Sequence, residues 1–477
     1  MRELRHRGVW LAAMLVVSGC AVGPHYQPPG APVPDAFKEA PPDGWKQAEP
    51  ADAIPRGSWW QIYGLPELDA LEQQVAVSNQ NVIVAIAQYR QARDQIRIAH
   101  SALFPSINTA PSAVITRANS SARTGSGAVV TTQASGFVVD YSLPVDFTYQ
   151  ADVWGAVQRS VTAASATAQA SQGDLENVLL MNQAQLAQLY FQLHGLDGDA
   201  NLLETTLQVY GQSLQLTKDR MQAGVASGAD VAQAQAQYDS TRAQWIDVGV
   251  ARAQFEHAIA VLTGKPPSAL TIAPSLVTGL PPAVPIGLPS ALLERRPDIS
   301  AAERRVAAAN EQIGIAKAAF YPTISLNATG GFASTAIETL LTWPSRFWAV
   351  APQLALTLFD AGRRRAQVDL EEAAYDATVA IYRQTVLTSF QQVEDQLAAL
   401  RILEQEAAAE DMAVTAAQEA LEIANEQYRA GTVDYLQVIV TQAAALQTRR
   451  TALDILTRRL VASVLLVEAL GGGWVAP

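Results

Sequence analysis

The chain has 477 residues, a formal net charge of -12 and a pI near 5.0, so it lacks the basic surface that a nucleic-acid partner requires. Charged residues make up 16% of it, against about 25% in ordinary soluble domains. A single cysteine excludes a disulfide framework and a thiolate metal site.

That cysteine closes the first element, MRELRHRGVWLAAMLVVSGC. Arg2, Arg5 and Arg7 precede an apolar run from Val9 to Val17 and then small residues, the layout of a secretory signal. The run is about half the ~20 residues of a spanning helix. Val17-Ser18-Gly19-Cys20 resembles a bacterial lipobox, which places cleavage before Cys20 and acyl chains on it. An ordinary signal with an incidental cysteine is the alternative. Gly23 to Pro55 is Pro-rich and reads as an extended tether. No later stretch has the length and apolarity of a transmembrane helix, so membrane entry would be by lipid or by β-barrel.

The rest of the chain is built twice. HSALFPSIN (100–108) matches KAAFYPTIS (317–325), and DVWG (152–155) matches FDAG (359–362). MQAGVASGADVAQAQ (221–235) matches YRAGTVDYLQVIVTQ (428–442), and VLTG (261–264) matches EALG (468–471). The last three pairs share an offset of about 207 residues, and the first lies about ten further apart. The surplus falls in RANSSARTGSGAVVTTQ, which reads as an exposed loop. The expected units are a signal (1–19), a tether with an equatorial segment (20–64), a first repeat (65–264), a linker (265–288), a second repeat (289–473) and a tail (474–477).

Each repeat reads as helix, two strands, then two long helices. Pro105 and Pro322 end the opening helices. Strands are expected near 105–117 and 136–150, and near 322–333 and 347–359. Ile324, Leu326, Ala328 and Phe332 alternate with Thr323, Ser325, Asn327 and Thr329. Trp348, Val350, Leu354, Leu356 and Leu358 alternate with Ala349, Ala351, Gln353, Ala355 and Thr357, and Phe137 to Tyr149 does likewise. An apolar face opposite a small polar one, over about ten residues, is the outer-membrane strand pattern. A half-buried soluble sheet gives a similar alternation. Four strands cannot close a membrane barrel, whose smallest form has about eight, and an open edge in lipid is costly. Strands in a membrane would therefore require an oligomer; three chains give twelve strands and room for a channel.

Leu175, Leu179, Leu186, Leu189, Leu193 and Leu196, and later Leu387, Phe390, Val393, Leu397, Leu400 and Leu403, follow coiled-coil spacing. Neither run meets a proline, and each helix would reach roughly 100 Å. Each ends at Ala-Gly, 223–224 and 430–431, a left-handed helix stop before a returning helix. An ordinary helical bundle explains the helices alone but not the strands.

LLERRPDISAAERRVAAANEQIGIAKAAFYPTI (292–324) resembles the signature of TolC-like outer-membrane efflux factors of the lipoprotein branch. YRAGTVDYL, the closing ALGGGW and the lipobox followed by AVGPHYQPP extend the likeness from Cys20 to Gly473. It implies a mainly helical trimer, with a twelve-strand β-barrel in the outer membrane and a long α-helical barrel in the periplasm. It further implies an exit duct for a tripartite pump, partnered by a periplasmic adaptor and an inner-membrane transporter, and a lipid-anchored Cys20. Ala21 replaces the aspartate of the inner-membrane retention signal. By the same likeness the turns Gly224-Val225-Ala226-Ser227 and Gly431-Thr432-Val433 meet the adaptor, and Leu436 matches an apolar constriction residue. Many relatives carry an aspartate one turn on, where this chain has Val440; Asp434 or Asp230 could supply acid nearby. The alternative is that Leu436 and Val440 are seam residues.

An enzyme is not expected, and no cofactor is called for. The histidines (6, 25, 100, 194 and 257) form no metal-binding pair, GGGW and GSG lack the Lys-Ser/Thr of a phosphate loop, and Glu303, Glu311, Glu371 and Glu372 read as solvated. A periplasmic coiled-coil adaptor or scaffold lipoprotein is the competing class, and protein secretion the competing cargo. Metal cargo is disfavoured by five methionines without a Met/His cluster.

Overall fold

The computed structural model describes residues 22–39, 57–117, 121–123, 129–131, 137–276, 279–282 and 295–472. The signal and Cys20 lie outside the described residues. The helices are α1 (Pro66–Ser78), α2 (Gln80–Ser101), α3 (Ala156–Gln222), α4 (Gly228–Leu262), α5 (Pro297–Ala318), α6 (Arg363–Ala430) and α7 (Tyr435–Ala469). The strands are β1 (Ser106–Thr109), β2 (Ser112–Arg117), β3 (Ser121–Arg123), β4 (Val129–Thr131), β5 (Phe137–Ala151), β6 (Thr323–Ser334) and β7 (Arg346–Ala355). The fold is mainly helical with a small sheet, as the periodicities require. No helix of the described residues is long and apolar enough to cross a membrane.

The residues divide into two compact units. One holds Arg90–Gln169, Arg304–Val379 and the N-terminal residues up to Pro29. Its antiparallel sheet runs β1-β5-β6-β7, with β2 also on β5. The first strand is broken at Ala110-Pro111, not continuous as expected. The register places Thr109 opposite Val145 and Ser112 opposite Ser142. Pro111 and Pro144 both fall in that interval, and neither has an N–H for the ladder. The last strand stops at Ala355, short of Phe359, because Ala355 faces Thr323, the first residue of β6, and among the described residues no strand lies beyond it. The stretch expected to be a loop contains the β3–β4 hairpin, in which Ser121 pairs with Thr131; the β-branched run Val129-Val130-Thr131 favours a strand.

The opening helices stop before their prolines. After Ser101 and Ala318 the chain tightens into three-residue hydrogen bonds, such as the Phe104 N–H to the Ser101 carbonyl and the Tyr321 N–H to the Ala318 carbonyl. Glu311 is not solvated: it is buried and ion-paired to Arg159 at 2.6 Å. The Val22 N–H donates to the Trp154 carbonyl, and Gly23 packs so closely on Gly314 that a Cβ would come within 2.6 Å of its Cα.

The other unit comprises Gly30–Tyr89, Ala170–Glu303 and Ala380–Pro477. Its main core joins Trp59, Leu68, Leu186, Phe191, Leu193, Ile259 and Val464. Leu186 and Leu193 sit at its centre, as the leucine spacing requires. Leu387 does not join the second stripe: it is exposed, and Val386 is buried instead. Residues 30–39 of the tether pack on helix α6. Phe37 meets Phe390 edge-on, the Lys38 and Glu39 N–H groups donate to the Glu394 carboxylate, and Glu39 pairs with Arg401.

The two repeats close their helix ends alike. Where α4 ends, the Asn79 amide donates to the Leu262 carbonyl at 2.8 Å. Where α7 ends, the Arg296 guanidinium donates to the Ala469 carbonyl at 2.9 Å while paired with Asp298. A left-handed glycine follows each helix. A Cβ on Gly264 would lie 2.2 Å from the Ser78 carbonyl oxygen, and one on Gly471 2.9 Å from that of Arg295. The sequence stretches RRPDI (295–299) and ALGG (469–472) are thus two halves of one joint.

Candidate functional site

The turns between paired helices are near copies of each other. At the first, Gly224 has φ +76; its N–H donates to the Met221 carbonyl and the Val225 N–H to that of Arg220. At the second, Gly431 has φ +74; its N–H donates to the Tyr428 carbonyl and the Thr432 N–H to that of Gln427. Both are Schellman closures, which satisfy the last carbonyls of a helix and favour glycine. The returning helices are capped in turn. Ser227 Oγ accepts from the Asp230 N–H while Asp230 Oδ2 accepts from the Ser227 N–H, and Asp434 Oδ1 accepts from the Gln437 N–H. Both acids named as candidates therefore cap their own helices.

Arg220, which sequence reasoning missed, ties the turns together. Its Nη1 donates to the Tyr428 carbonyl at 2.7 Å, and its guanidinium lies 4.5 Å from the Tyr428 ring centroid. One cation serves two helix C-termini, where the macrodipoles are negative. The only sequence signal was an arginine in the last turn of each long helix, Arg220 and Arg429. Beneath it Leu214, Ala234, Tyr428, Tyr435 and Val438 form a small core. Burial, then neighbouring Tyr428 and Tyr210, push the Tyr435 hydroxyl up to about 12, so it stays uncharged near neutrality.

The candidate gate residues lie outside that core. Tyr435 and Val438 are 2% and 1% exposed, whereas Leu436 and Val440 are 52% and 55% exposed. Leu436 and Val440 thus point away from the packing within the chain. Val225 of the first turn is also exposed.

The sheet offers the other functional surface. Asp146 and Thr329 face each other and hydrogen-bond at 2.6 Å, in a row with Asn108 and Ala349. On the opposite face Ile107, Phe147, Ala328 and Val350 form a row, and Trp348 is 80% exposed. Among the described residues no His/Cys/Asp/Glu group could hold a metal ion.

Among the described residues the main sheet has unpaired edges at β7 and at β1 with β2, and an exposed apolar face. The chain belongs to the outer membrane efflux protein family, whose model matches residues 71–265 and 288–472. It is 32% identical to the probable efflux pump outer membrane protein TtgC of Pseudomonas putida, over 96% of this chain and 94% of that one. It is 31% identical to outer membrane protein OprJ of Pseudomonas aeruginosa, covering 97% and 95%. It is 29% identical to the cation efflux system protein CusC of Escherichia coli, covering 96% and 97%. The solved outer-membrane channel OprN superposes with a TM-score of 0.85 at 28% identity, over 95% of this chain and all of that one. A CusC structure gives 0.83 at 26%, with the same coverage. The protein is an outer-membrane efflux channel, and its family is one of ducts rather than of enzymes.

Proposed function

We propose that three copies close one twelve-strand barrel and act as the exit duct of a tripartite pump, with a periplasmic adaptor and an inner-membrane transporter. The observation that carries this is the open sheet: β7 at one edge and β1 with β2 at the other have no further partner among the described strands. Unpaired backbone in hydrocarbon costs several kcal/mol per group, and a second and third copy remove the edges. The apolar face with Trp348 and Val350 then meets lipid, and the face with Asp146 and Asn327 lines the lumen.

Acylated Cys20 anchors the chain, beside two repeats at 65–264 and 289–473 joined through a linker at 265–288. Gly224 to Ser227 and Gly431 to Val433 meet the adaptor. Leu436 and Val440 form an apolar seal at the periplasmic mouth, with Asp230 and Asp434 nearby as caps. Their exposure supports this over the seam reading. Names of relatives such as the toluene efflux pump protein TtgC favour small toxic compounds as cargo; CusC favours cations, which the dispersed methionines here do not support.

The test is reconstitution. A heat-resistant trimer on unboiled gels and single-channel steps are expected, with higher resting conductance in the Leu436→Ser, Val440→Ser double variant. A monomer without conductance fits the scaffold alternative and defeats the reading. Mass spectrometry of the N-terminal peptide should show acyl chains on Cys20; an unmodified thiol removes the anchor.

A further inference from the structure

Among the described residues, the Asp146 face of the main sheet carries one aromatic side chain. Residues opposed across antiparallel strands share a face, and side chains alternate along each strand. The Asp146–Thr329 bond therefore assigns Thr329, Ala349 and every second residue of β7 to the polar face. Ala349, Ala351, Gln353 and Ala355 are small or polar. Phe347, in the same series, is neither. It opposes Gly331, which opposes Pro144, and it is half-buried between exposed Arg346 and Trp348.

Its level in the sheet is also defined. The strands join the helices at Ala151, Thr323 and Ala355, whereas Phe347 is the second residue after the 335–345 connection. At about 3.3 Å per residue it lies roughly 25 Å from the helix-linked end. The ring thus stands at the far end of the sheet, on the face that carries Asp146, Asn327 and Thr329.

We propose that Phe347 projects into the lumen and that three copies form an apolar constriction near the outer mouth of the channel. This rests on the trimeric barrel reading. Twelve strands about 4.8 Å apart and tilted by about 40° give a backbone radius of roughly 12 Å. Three phenyl rings narrow such a lumen without sealing it. They present an apolar ledge to cargo leaving a polar tube, so they select by contact with apolar or aromatic surface and do not act as a second gate. An aromatic ring over a cross-strand glycine also stabilises a sheet, and the test must separate the two roles.

The experiment is single-channel recording on the full chain, with the periplasmic mouth opened by Leu436→Ser and Val440→Ser. Phe347→Cys, Asn327→Cys and Trp348→Cys are each exposed to a charged, membrane-impermeant methanethiosulfonate reagent, and the parent without an added cysteine sets the baseline. Phe347→Cys should lose current in up to three steps per channel, as should Asn327→Cys, while Trp348→Cys should not respond. Phe347→Ala should weaken current block by a bulky aromatic cation severalfold, with a trimer of unchanged heat resistance. A reactive Asn327→Cys with an inert Phe347→Cys overturns the constriction and leaves the barrel reading standing. A Phe347→Ala trimer that melts earlier but is blocked as before assigns the ring to sheet stability alone and also overturns it. No current from any variant overturns both readings.

Discussion

The joints that close the two repeats solve one problem with different chemistry. In the first, the neutral amide of Asn79 holds the Leu262 carbonyl, and Asn79 also caps α2 through Oδ1. In the second, Arg296 holds the Ala469 carbonyl while bound to Asp298, and Pro297 opens the following helix. What persists between the copies is the need to satisfy a buried helix end beside a left-handed glycine. The residue that meets the need has changed. A duplicated chain can thus retain a geometric demand after the residues have diverged, which is why the glycines are kept while the donors at the equivalent positions, Asn79 and Arg296, differ.

Four substitutions test that contrast. The largest effect is expected from Gly264→Val, where a side chain would meet the Ser78 carbonyl and the backbone is left-handed; no folded trimer should be recovered from membranes. Recovery of normal amounts would mean that α1 can move aside. Arg296→Ala strands Asp298 and the Ala469 carbonyl together, and breaking a largely buried pair costs about 3–5 kcal/mol. Its melting temperature in detergent should fall further than that of Asn79→Ala, which loses a cap and one carbonyl bond, about 1–2 kcal/mol. Equal losses would show that the charge adds nothing to the joint.

The smallest effect concerns Glu468, in the last turn of α7. Burial pushes its carboxyl up from 4.5 to about 7, with Arg296 opposing the rise and Asp298 adding to it. The folded chain therefore favours the protonated form. Glu468 is tolerated fully below pH 4.5, and stability is lost as pH rises through about 7. Glu468→Gln should match the parent near pH 5 and melt a few degrees higher at pH 8. A constant difference across that range would place the effect in packing rather than protonation.

Much of the architecture could be read from the chain. The proline-free runs gave the long helices, and the Ala-Gly pairs marked turns whose glycines have φ +76 and +74. Alternation separated the faces on which Asp146 and Trp348 lie. Other features could not be read, because they join residues far apart in sequence. Arg159 and Glu311 are 152 residues apart, and Arg220 and Tyr428 are 208 apart. Nothing local distinguishes Glu311 from a solvated helix glutamate until Arg159 is seen beside it. Pro144 sits inside a central strand without a ladder N–H, and only the break between β1 and β2 shows how the sheet accommodates it. Leu387 fits the spacing as well as its neighbours do, so only packing shows that Val386 takes the buried place.

The pairing of β5 with β6 has a consequence for assembly. Asp146 and Thr329, 183 positions apart in sequence, meet here, so the middle of the sheet is made from both repeats and neither has a complete sheet of its own. Made from the N-terminus, the chain contains β5 well before β6 follows. Contacts between residues so distant form slowly, and an unpaired strand with an apolar face is prone to aggregation meanwhile. Until the second repeat is present β5 lacks its central partner, which makes it the strand most open to wrong pairing while the chain folds.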